Sequence, residues 1–309
     1  GVARAPRPGG CRAPAESAAP RAAGRAGGMD AGLILLVLFL LCLGALYILK
    51  SYRDMLDSGV NPPWISLFGR RFSFRLCEFL VYRAMSVPSL AEVHVQAMDE
   101  QVAEKAKELQ QQFPEDGAAR GGVVLVGCDT FTYWRNLQTD LAGALDVRVI
   151  NAAFGGSLTQ IVCKHLEPLV VRHTPAVVVY ACGENDLLGN YKAEDIIKHI
   201  QETHAVLRSQ LPHARIIFLS TIVTPLLRTL RLDTTAQSIK KSIQESVVDG
   251  DEGRSTIVEF NALETAPPEE MFLGDIHHLS REGHAKLALE LLPVIRENLA
   301  ATQLKDAGR

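Results

Sequence analysis

The chain has 309 residues, of which 47% are hydrophobic and 22% are charged, and this balance excludes a globally disordered protein. Its 32 Lys and Arg residues against 35 Asp and Glu residues give a net charge of −3, which excludes a generally basic nucleic-acid-binding protein. Six cysteines without a Cys-x-x-Cys pair exclude a disulfide scaffold and a zinc ribbon.

The first 28 residues are rich in Ala, Gly, Arg and Pro and have almost no apolar bulk. Such a segment cannot bury a core, so 1–28 is predicted to be a disordered leader. Met29 opens a different composition, and we interpret it as the start of the protein, with 1–28 not necessarily translated. The alternative for 1–28 is an Arg-rich, acid-poor transit peptide.

Residues 31–49 form an uncharged apolar run. At a rise of about 1.5 Å per residue the run spans about 28 Å, close to the ~30 Å hydrocarbon core of a bilayer. No small-residue cleavage site follows it, so the sequence predicts a single-pass transmembrane anchor, with a buried core helix as the alternative. Lys50 and Arg53 come next, and with Met29 as the start the positive-inside rule places the C-terminal domain in the cytosol.

The segment 50–121 is predicted to be a juxtamembrane linker. Pro62 and Pro63 break any helix that continues from the anchor, and the Trp, Phe and Arg residues after them suit either the headgroup interface or packing on the main domain. Apolar residues then recur at helical spacing between Met98 and Phe113. They predict an amphipathic helix over 90–113 that docks on the domain.

From Gly122 onward, short β-branched runs alternate with longer amphipathic stretches. Strands that are apolar on both faces are typical of a parallel sheet covered by helices on both sides. Residues 122–302 are therefore predicted to form a three-layer α/β/α domain with a five-stranded parallel sheet. The predicted strands are 123–126, 147–150, 176–181, 215–219 and 256–260, and the predicted helices lie near 133–145, 158–173, 192–210, 234–248 and 280–300.

Loops that follow the strands carry the candidate site residues, because ligands of open α/β sheets bind outside the carboxyl ends of the strands. Asp275 stands three residues before His278, which lets the carboxylate fix the imidazole tautomer and leaves the other ring nitrogen free to act as a base. Asn185 and a backbone N–H at Gly155-Gly156 can together stabilise an oxyanion. Taken singly, these signals also fit a helix cap beside a surface His, a turn-forming Asn and a Gly-Gly turn.

Together these segments make the chain resemble the SGNH, or GDSL-type, hydrolases over roughly 122–300. Gly156 is similar to the family's oxyanion glycine, and Asn185, in a Gly-Glu-Asn-Asp block, is similar to its second oxyanion donor. Asp275 and His278 resemble the Asp-x-x-His pair that ends the catalytic set. The resemblance implies a flavodoxin-like fold, cleavage of acyl-lipid or carbohydrate-acetyl esters, and a small-molecule, lipid or carbohydrate ester as ligand.

The first block departs from the family pattern. Where the resemblance implies a nucleophilic Ser, the segment Gly-Cys-Asp-Thr at 127–130 has Asp129. Three interpretations stay open. Asp129 can pair with His278 and hold it as a cation in an inactive pseudoenzyme that acts as a ligand-binding or scaffold module. It can instead attack an alkyl electrophile. Alternatively, Cys128 or Thr130 can serve as the nucleophile after a one-residue shift of the loop.

Neither a metal site nor a cofactor is predicted. His277, His278 and His284 lie near Asp275 in the sequence, but they lack the spacing of a metal-binding motif. No phosphate-binding or dinucleotide-binding glycine motif occurs. The predicted catalytic set is therefore Asp129, Gly156, Asn185, Asp275 and His278.

Overall fold

The computed structural model describes residues 31–62, 91–264 and 266–307. The chain divides into two compact units, Gly1–Ile48 and Leu49–Arg309. The predicted leader at 1–28 and the Trp, Phe and Arg-rich part of the linker lie outside the described residues.

The first described element is the helix Ala31–Ser58. Within the described residues, no helix combines the length and the apolar character that a membrane crossing requires. The transmembrane helix predicted at 31–49 is thus not confirmed.

The structure has five strands, which are β1 (Val123–Gly127), β2 (Val149–Asn151), β3 (Val177–Ala181), β4 (Arg215–Leu219) and β5 (Ser255–Val258). They form one parallel sheet in the order β2-β1-β3-β4-β5. This is the flavodoxin-like order, in which the strand order reverses between β1 and β3. The predicted sheet is therefore confirmed, and its strands end within two residues of the predicted positions.

Both faces of the sheet are buried. Val124 and Val126 of β1 belong to one apolar cluster, and Val123 and Leu125 belong to a second. Successive side chains of a strand point to opposite faces, so the two clusters lie on either side of the sheet. This explains why the strands are apolar almost throughout and gives the predicted three layers.

Long helices cover the two faces. Ala193–Gln210 and Asp233–Ile243 contribute to the first cluster, and Arg281–Ala307 contributes to the second. The predicted amphipathic helix is Ala91–Gln112, and its Met98, Val102 and Leu109 are buried in the first cluster as expected. The shorter helices are Asp129–Thr132, Glu184–Leu188, Pro225–Thr229 and Pro268–Met271, with a π-helical turn at Gln244–Val248 and a 3₁₀ turn at Asn261–Glu264.

Two predicted helices are broken into short pieces. Pro168 lacks a backbone donor and Gly143 favours non-helical conformations, so neither 158–173 nor 133–145 continues as one helix. Periodicity alone did not reveal these breaks. The pieces are Leu137–Asp140, Ala142–Ala144, Thr159–Lys164, Leu166–Leu169 and Val171–His173.

A buried ion-pair network ties the start of β5 to the helix Ala193–Gln210. Asp251 accepts hydrogen bonds from Arg208 Nε at 2.8 and 2.9 Å and from Ser255 Oγ at 2.6 Å. Burial opposes ionisation of Asp251, but these donors outweigh it and lower its pKa. The carboxylate therefore contributes stability above its unfolded pKa of about 3.9, and this contribution is lost as the pH falls through the lower folded value.

We expect Asp251→Asn to lower the free energy of unfolding by about 3 kcal/mol at pH 7, because Arg208 is left buried without its counter-charge. Urea denaturation measures the change. The control is Glu252→Gln, because the Glu252 side chain is 83% exposed and should change stability by less than about 0.5 kcal/mol. Equal losses in the two variants would contradict a stabilising role for the network.

Candidate active site

The loop after β1 lies directly beside the loop after β3. Gly127 ends β1 with φ of 135°, and a Cβ built on it would lie 1.7 Å from the carbonyl oxygen of Ala181. Only glycine permits this approach. Asp129 then begins the short helix Asp129–Thr132, at the edge of the sheet where the strand order reverses.

The carboxylate of Asp129 binds both groups that were predicted as oxyanion donors. Its Oδ1 accepts the backbone N–H of Gly156 at 2.8 Å, and its Oδ2 accepts the side-chain amide of Asn185 at 2.8 Å. Asp129 is 6% exposed, so these bonds lie in a largely water-free site. The residue at the predicted serine position therefore occupies the donors that the sequence predicted for an oxyanion.

A buried carboxylate next to Asn185 joins the loops after β2 and β3. Asp186 accepts the hydroxyl of Thr159 at 2.6 Å and its backbone N–H at 3.1 and 3.2 Å. Gly156, three residues before Thr159, has φ of 70°, a conformation that favours glycine. These contacts position the Gly156 N–H and the Asn185 amide so that both donate to the carboxylate of Asp129.

Asp275 and His278 form the predicted pair. Asp275 Oδ2 lies 2.6 Å from His278 Nδ1, and Asp275 Oδ1 accepts the backbone N–H groups of His277 and His278 at 3.1 and 3.0 Å. Between them Ile276 is fully buried at φ of 59°, a conformation that costs a β-branched residue roughly 1–3 kcal/mol. The surrounding structure therefore holds this turn in a strained, fixed shape.

His278 Nε2 faces Asp129, but the two are not hydrogen-bonded. The distance to Asp129 Oδ1 is 4.0 Å, because Gly156 and Asn185 hold the carboxylate. The predicted direct pairing of Asp129 with His278 is therefore present only as a long ion pair without a hydrogen bond. Burial opposes protonation of His278, but the hydrogen bond and charge of Asp275, with the charge of Asp129, raise its pKa to about 9. The imidazole is therefore cationic at neutral pH.

The alternative nucleophiles are buried in other contacts. Cys128 is 2% exposed, and its Sγ donates to Glu184 at 3.0 Å. Burial, followed by the charge of Glu184, raises the pKa of this thiol. Thr130 is also buried, and its carbonyl oxygen lies 2.9 Å from His284 Nε2. The structure does not favour a loop shift that brings either residue to His278.

Tyr133 covers the imidazole of His278. The two rings meet edge to face with their centroids 5.0 Å apart. A Cβ on Gly155 would lie 3.2 Å from Tyr133 Oη and 3.3 Å from Asp129 Oδ1, so glycine keeps this surface open. Sequence reasoning did not single out Tyr133, although it lies one helical turn after Asp129.

The helix Ala31–Ser58 also reaches the site, which sequence reasoning missed. Tyr52 Oη donates to Asp275 Oδ2 at 3.2 Å, and Asn61 Oδ1 accepts the backbone N–H of Gly274 at 2.6 Å. Met55 packs against Leu273. Burial and the charge of Asp275 raise the pKa of Tyr52, so the phenol remains a neutral donor.

We expect Tyr52→Phe to lower the free energy of unfolding by about 1 kcal/mol, since it removes one hydrogen bond to a charged carboxylate. It should also shift the imidazole NMR signals of His278, because the phenol and the imidazole share Asp275 Oδ2. The control is Tyr47→Phe, because Tyr47 is 62% exposed. Unchanged His278 signals in Tyr52→Phe would contradict the positioning role.

The sequence model of the GDSL-like lipase/acylhydrolase family matches residues 117–286, a range that contains all five predicted site residues. The chain belongs to this family. No curated protein sequence matches this GDSL-like chain. Family membership supports a hydrolase-like or esterase-like protein, while the roles of the individual site residues stay predictions.

Several solved structures are similar to this GDSL-like protein. A protein from Streptococcus pneumonia, provisionally described as a platelet activating factor, has 16% identity and a TM-score of 0.51, covering 67% of this chain and 100% of its own. The lipase/acylhydrolase from Enterococcus faecalis has 22% identity, a TM-score of 0.48 and coverage of 58% and 95%. A GDSL-like lipase from Bacteroides thetaiotaomicron has 14% identity, a TM-score of 0.49 and coverage of 62% and 97%.

Proposed function

We propose that this GDSL-like protein binds a ligand in its site and does not hydrolyse acyl esters. The proposal rests on one observation, which is that the Asp129 carboxylate accepts hydrogen bonds from both the Gly156 N–H and the Asn185 amide. An ester carbonyl needs such donors while negative charge develops on its oxygen. Here the donors already hold a negative group, which also repels an incoming oxyanion.

The expected loss of ester turnover is large. Removal of a single oxyanion donor costs roughly 10²–10³ in kcat. In this site both donors are engaged by Asp129, and the side chain that offers the attacking hydroxyl in the family is replaced by that same carboxylate. We therefore expect turnover of acyl esters below the level that a spectrophotometric assay detects.

Carboxylate attack on an alkyl electrophile is not favoured. Each oxygen of Asp129 accepts a short hydrogen bond, which lowers its electron density for attack. The second step of such a reaction needs His278 as a base that activates water. With a pKa of about 9, His278 carries its proton at neutral pH and is not available as that base.

For the ligand, we propose a small molecule or a lipid or carbohydrate ester, as family membership suggests.

We also propose that 31–49 anchors the protein as a single-pass segment with the domain in the cytosol. The apolar run and the following Lys50 and Arg53 support this proposal, as do large apolar side chains that are 46–63% exposed. These side chains are Phe39, Leu40, Leu43, Leu46 and Tyr47.

Alkaline carbonate extraction of cell membranes tests the anchor. We expect the parent to stay in the membrane pellet and a variant with Leu40→Lys and Leu43→Lys to be released. Recovery of the parent in the soluble fraction would contradict the anchor. Protease digestion of sealed vesicles tests the orientation, and protection of the domain from cytosolic-side protease would overturn it.

The proposed lack of ester hydrolysis is tested with the full chain in mild detergent and short-chain nitrophenyl esters. We expect the parent to give no turnover above buffer, with His278→Ala indistinguishable from it. Ester turnover by the parent that disappears in His278→Ala would overturn the proposed function, because it would require a working acyl-transfer site.

A further inference from the structure

We propose that Asp129, His277 and His278 form a binding site for a divalent transition-metal ion, with Zn²⁺ as the reference ion. This proposal rests on the proposed function, because it takes the pocket around Asp129 and His278 as a binding site. It adds that a metal cation binds in this pocket. Two imidazoles and one carboxylate are a ligand set that such ions accept in proteins.

The three side chains converge in space. One ligand atom from each of them lies within 4.8 Å of the other two, on loops that follow β1 and precede the last helix. Metal–ligand bonds of about 2.0–2.2 Å place neighbouring ligand atoms about 3.3 Å apart around a tetrahedral ion. The Asp129 Oδ1–His278 Nε2 distance of 4.0 Å is too long for a hydrogen bond, and a shift of about 0.7 Å brings the two atoms to the separation of tetrahedral ligands.

His278 is already oriented as a metal ligand. Its Nδ1 lies 2.6 Å from Asp275 Oδ2, which leaves Nε2 directed at Asp129. An ion that binds there displaces the Nε2 proton of the cationic imidazole, because a metal ligand must be deprotonated. Metal-binding histidines usually donate their other ring N–H to a carboxylate or carbonyl in this way, which fixes the ring and raises its basicity. Tyr52 Oη donates a hydrogen bond to the same Oδ2 atom of Asp275, which further fixes the orientation of this carboxylate.

His277 contributes an independent observation. Its Nδ1 is buried and has no hydrogen-bond partner among the described residues. Most buried polar atoms have partners, because an unpaired one costs roughly 1–3 kcal/mol. The ring of His277 contacts that of His278 with centroids 4.7 Å apart, so a shared ion satisfies both imidazoles.

Charge also favours a cation. The carboxyl groups of Asp129, Asp275 and Glu184 all interact with His278, and Glu184 also interacts with His277. Acidic groups therefore outnumber the two imidazoles around the pocket. The oxygens of Asp129 can accept a metal in addition to their hydrogen bonds, since each carboxylate oxygen has two lone pairs.

Zinc binding is tested on the full, tag-free chain in mild detergent. After dialysis against Zn²⁺ and then metal-free buffer, mass spectrometry of the metal content should give one Zn²⁺ per chain. Calorimetric titration should show affinity at least about tenfold lower in His277→Ala and in Asp129→Asn. Cobalt substitution should give visible absorption bands in the parent and not in these variants.

The matched control is His213→Ala, because His213 is exposed and precedes β4 at the opposite edge of the sheet. It should bind Zn²⁺ like the parent. Absence of binding by the parent, or equal affinity in the parent, His277→Ala and His213→Ala, would overturn the metal site. Neither result depends on ester turnover, so failure of the metal site and failure of the proposed function are separate outcomes.

Discussion

Replacing Asp129 by serine should give the protein measurable ester hydrolysis. The substitution frees the Gly156 N–H and the Asn185 amide for a substrate oxyanion and places a hydroxyl on the side facing His278. It also removes one of the charges that raise the pKa of His278, so more of the imidazole is available as a base. We expect kcat/KM for nitrophenyl acetate to reach at least about 100 times the detection limit, below which the parent falls.

Two further variants separate the contributions. Asp129→Ala also frees the donors but supplies no nucleophile, so it should stay close to the parent. Combining Asp129→Ser with His278→Ala should remove the gained activity. If Asp129→Ser and Asp129→Ala are equally inactive while both fold as the parent does by circular dichroism, the remaining site is not a competent hydrolase site.

Substituting Gly127 by alanine should remove most of the stability of the domain. The added Cβ would lie 1.7 Å from the carbonyl oxygen of Ala181, on the central strand β3, and φ of 135° excludes ordinary side chains. Neither backbone can move away without breaking the β1–β3 hydrogen bonds. We expect the free energy of unfolding to fall by at least about 4 kcal/mol, measured by urea denaturation.

The control for this prediction is Gly250→Ala. A Cβ at Gly250 meets no atom within 4 Å, and the residue has no positive φ. It should change stability by less than about 0.5 kcal/mol. A Gly127→Ala variant as stable as Gly250→Ala would mean that β1 and β3 are not as close as the structure places them.

The sheet was predictable because its signal is local. Runs such as 123–126 and 176–181 are short, rich in valine and apolar at every position, which is typical of a strand buried on both faces. Helix continuity was less predictable, since Pro168 and Gly143 interrupt stretches whose apolar spacing still fits a helix. The long amphipathic helix Ala91–Gln112 was predicted well because its apolar stripe is regular over several turns.

The candidate site was predictable only in part. The strand-end rule and the family resemblance brought Asp129, Gly156 and Asn185 to one edge of the sheet, where the structure places them. The hydrogen bonds of the Asp129 carboxylate depend on side-chain geometry, which sequence spacing does not encode. Tyr52 and Asn61 were missed because more than 200 residues separate them from the loop they contact.

The same limitation applies to the metal ligands. His277 and His278 are adjacent, which is not a metal-binding spacing, and the third ligand Asp129 comes from the other end of the domain. Spacing rules detect ligands that share a helix or a turn, whereas these three meet only after the sheet has formed.

A crystal structure of the unaltered protein tests whether the Asp129 carboxylate holds both donors. We expect Asp129 Oδ1 within about 3.2 Å of the Gly156 nitrogen and Asp129 Oδ2 within about 3.2 Å of the Asn185 amide nitrogen. A carboxylate rotated away from both donors, with water on the Gly156 N–H and the Asn185 amide, would contradict it.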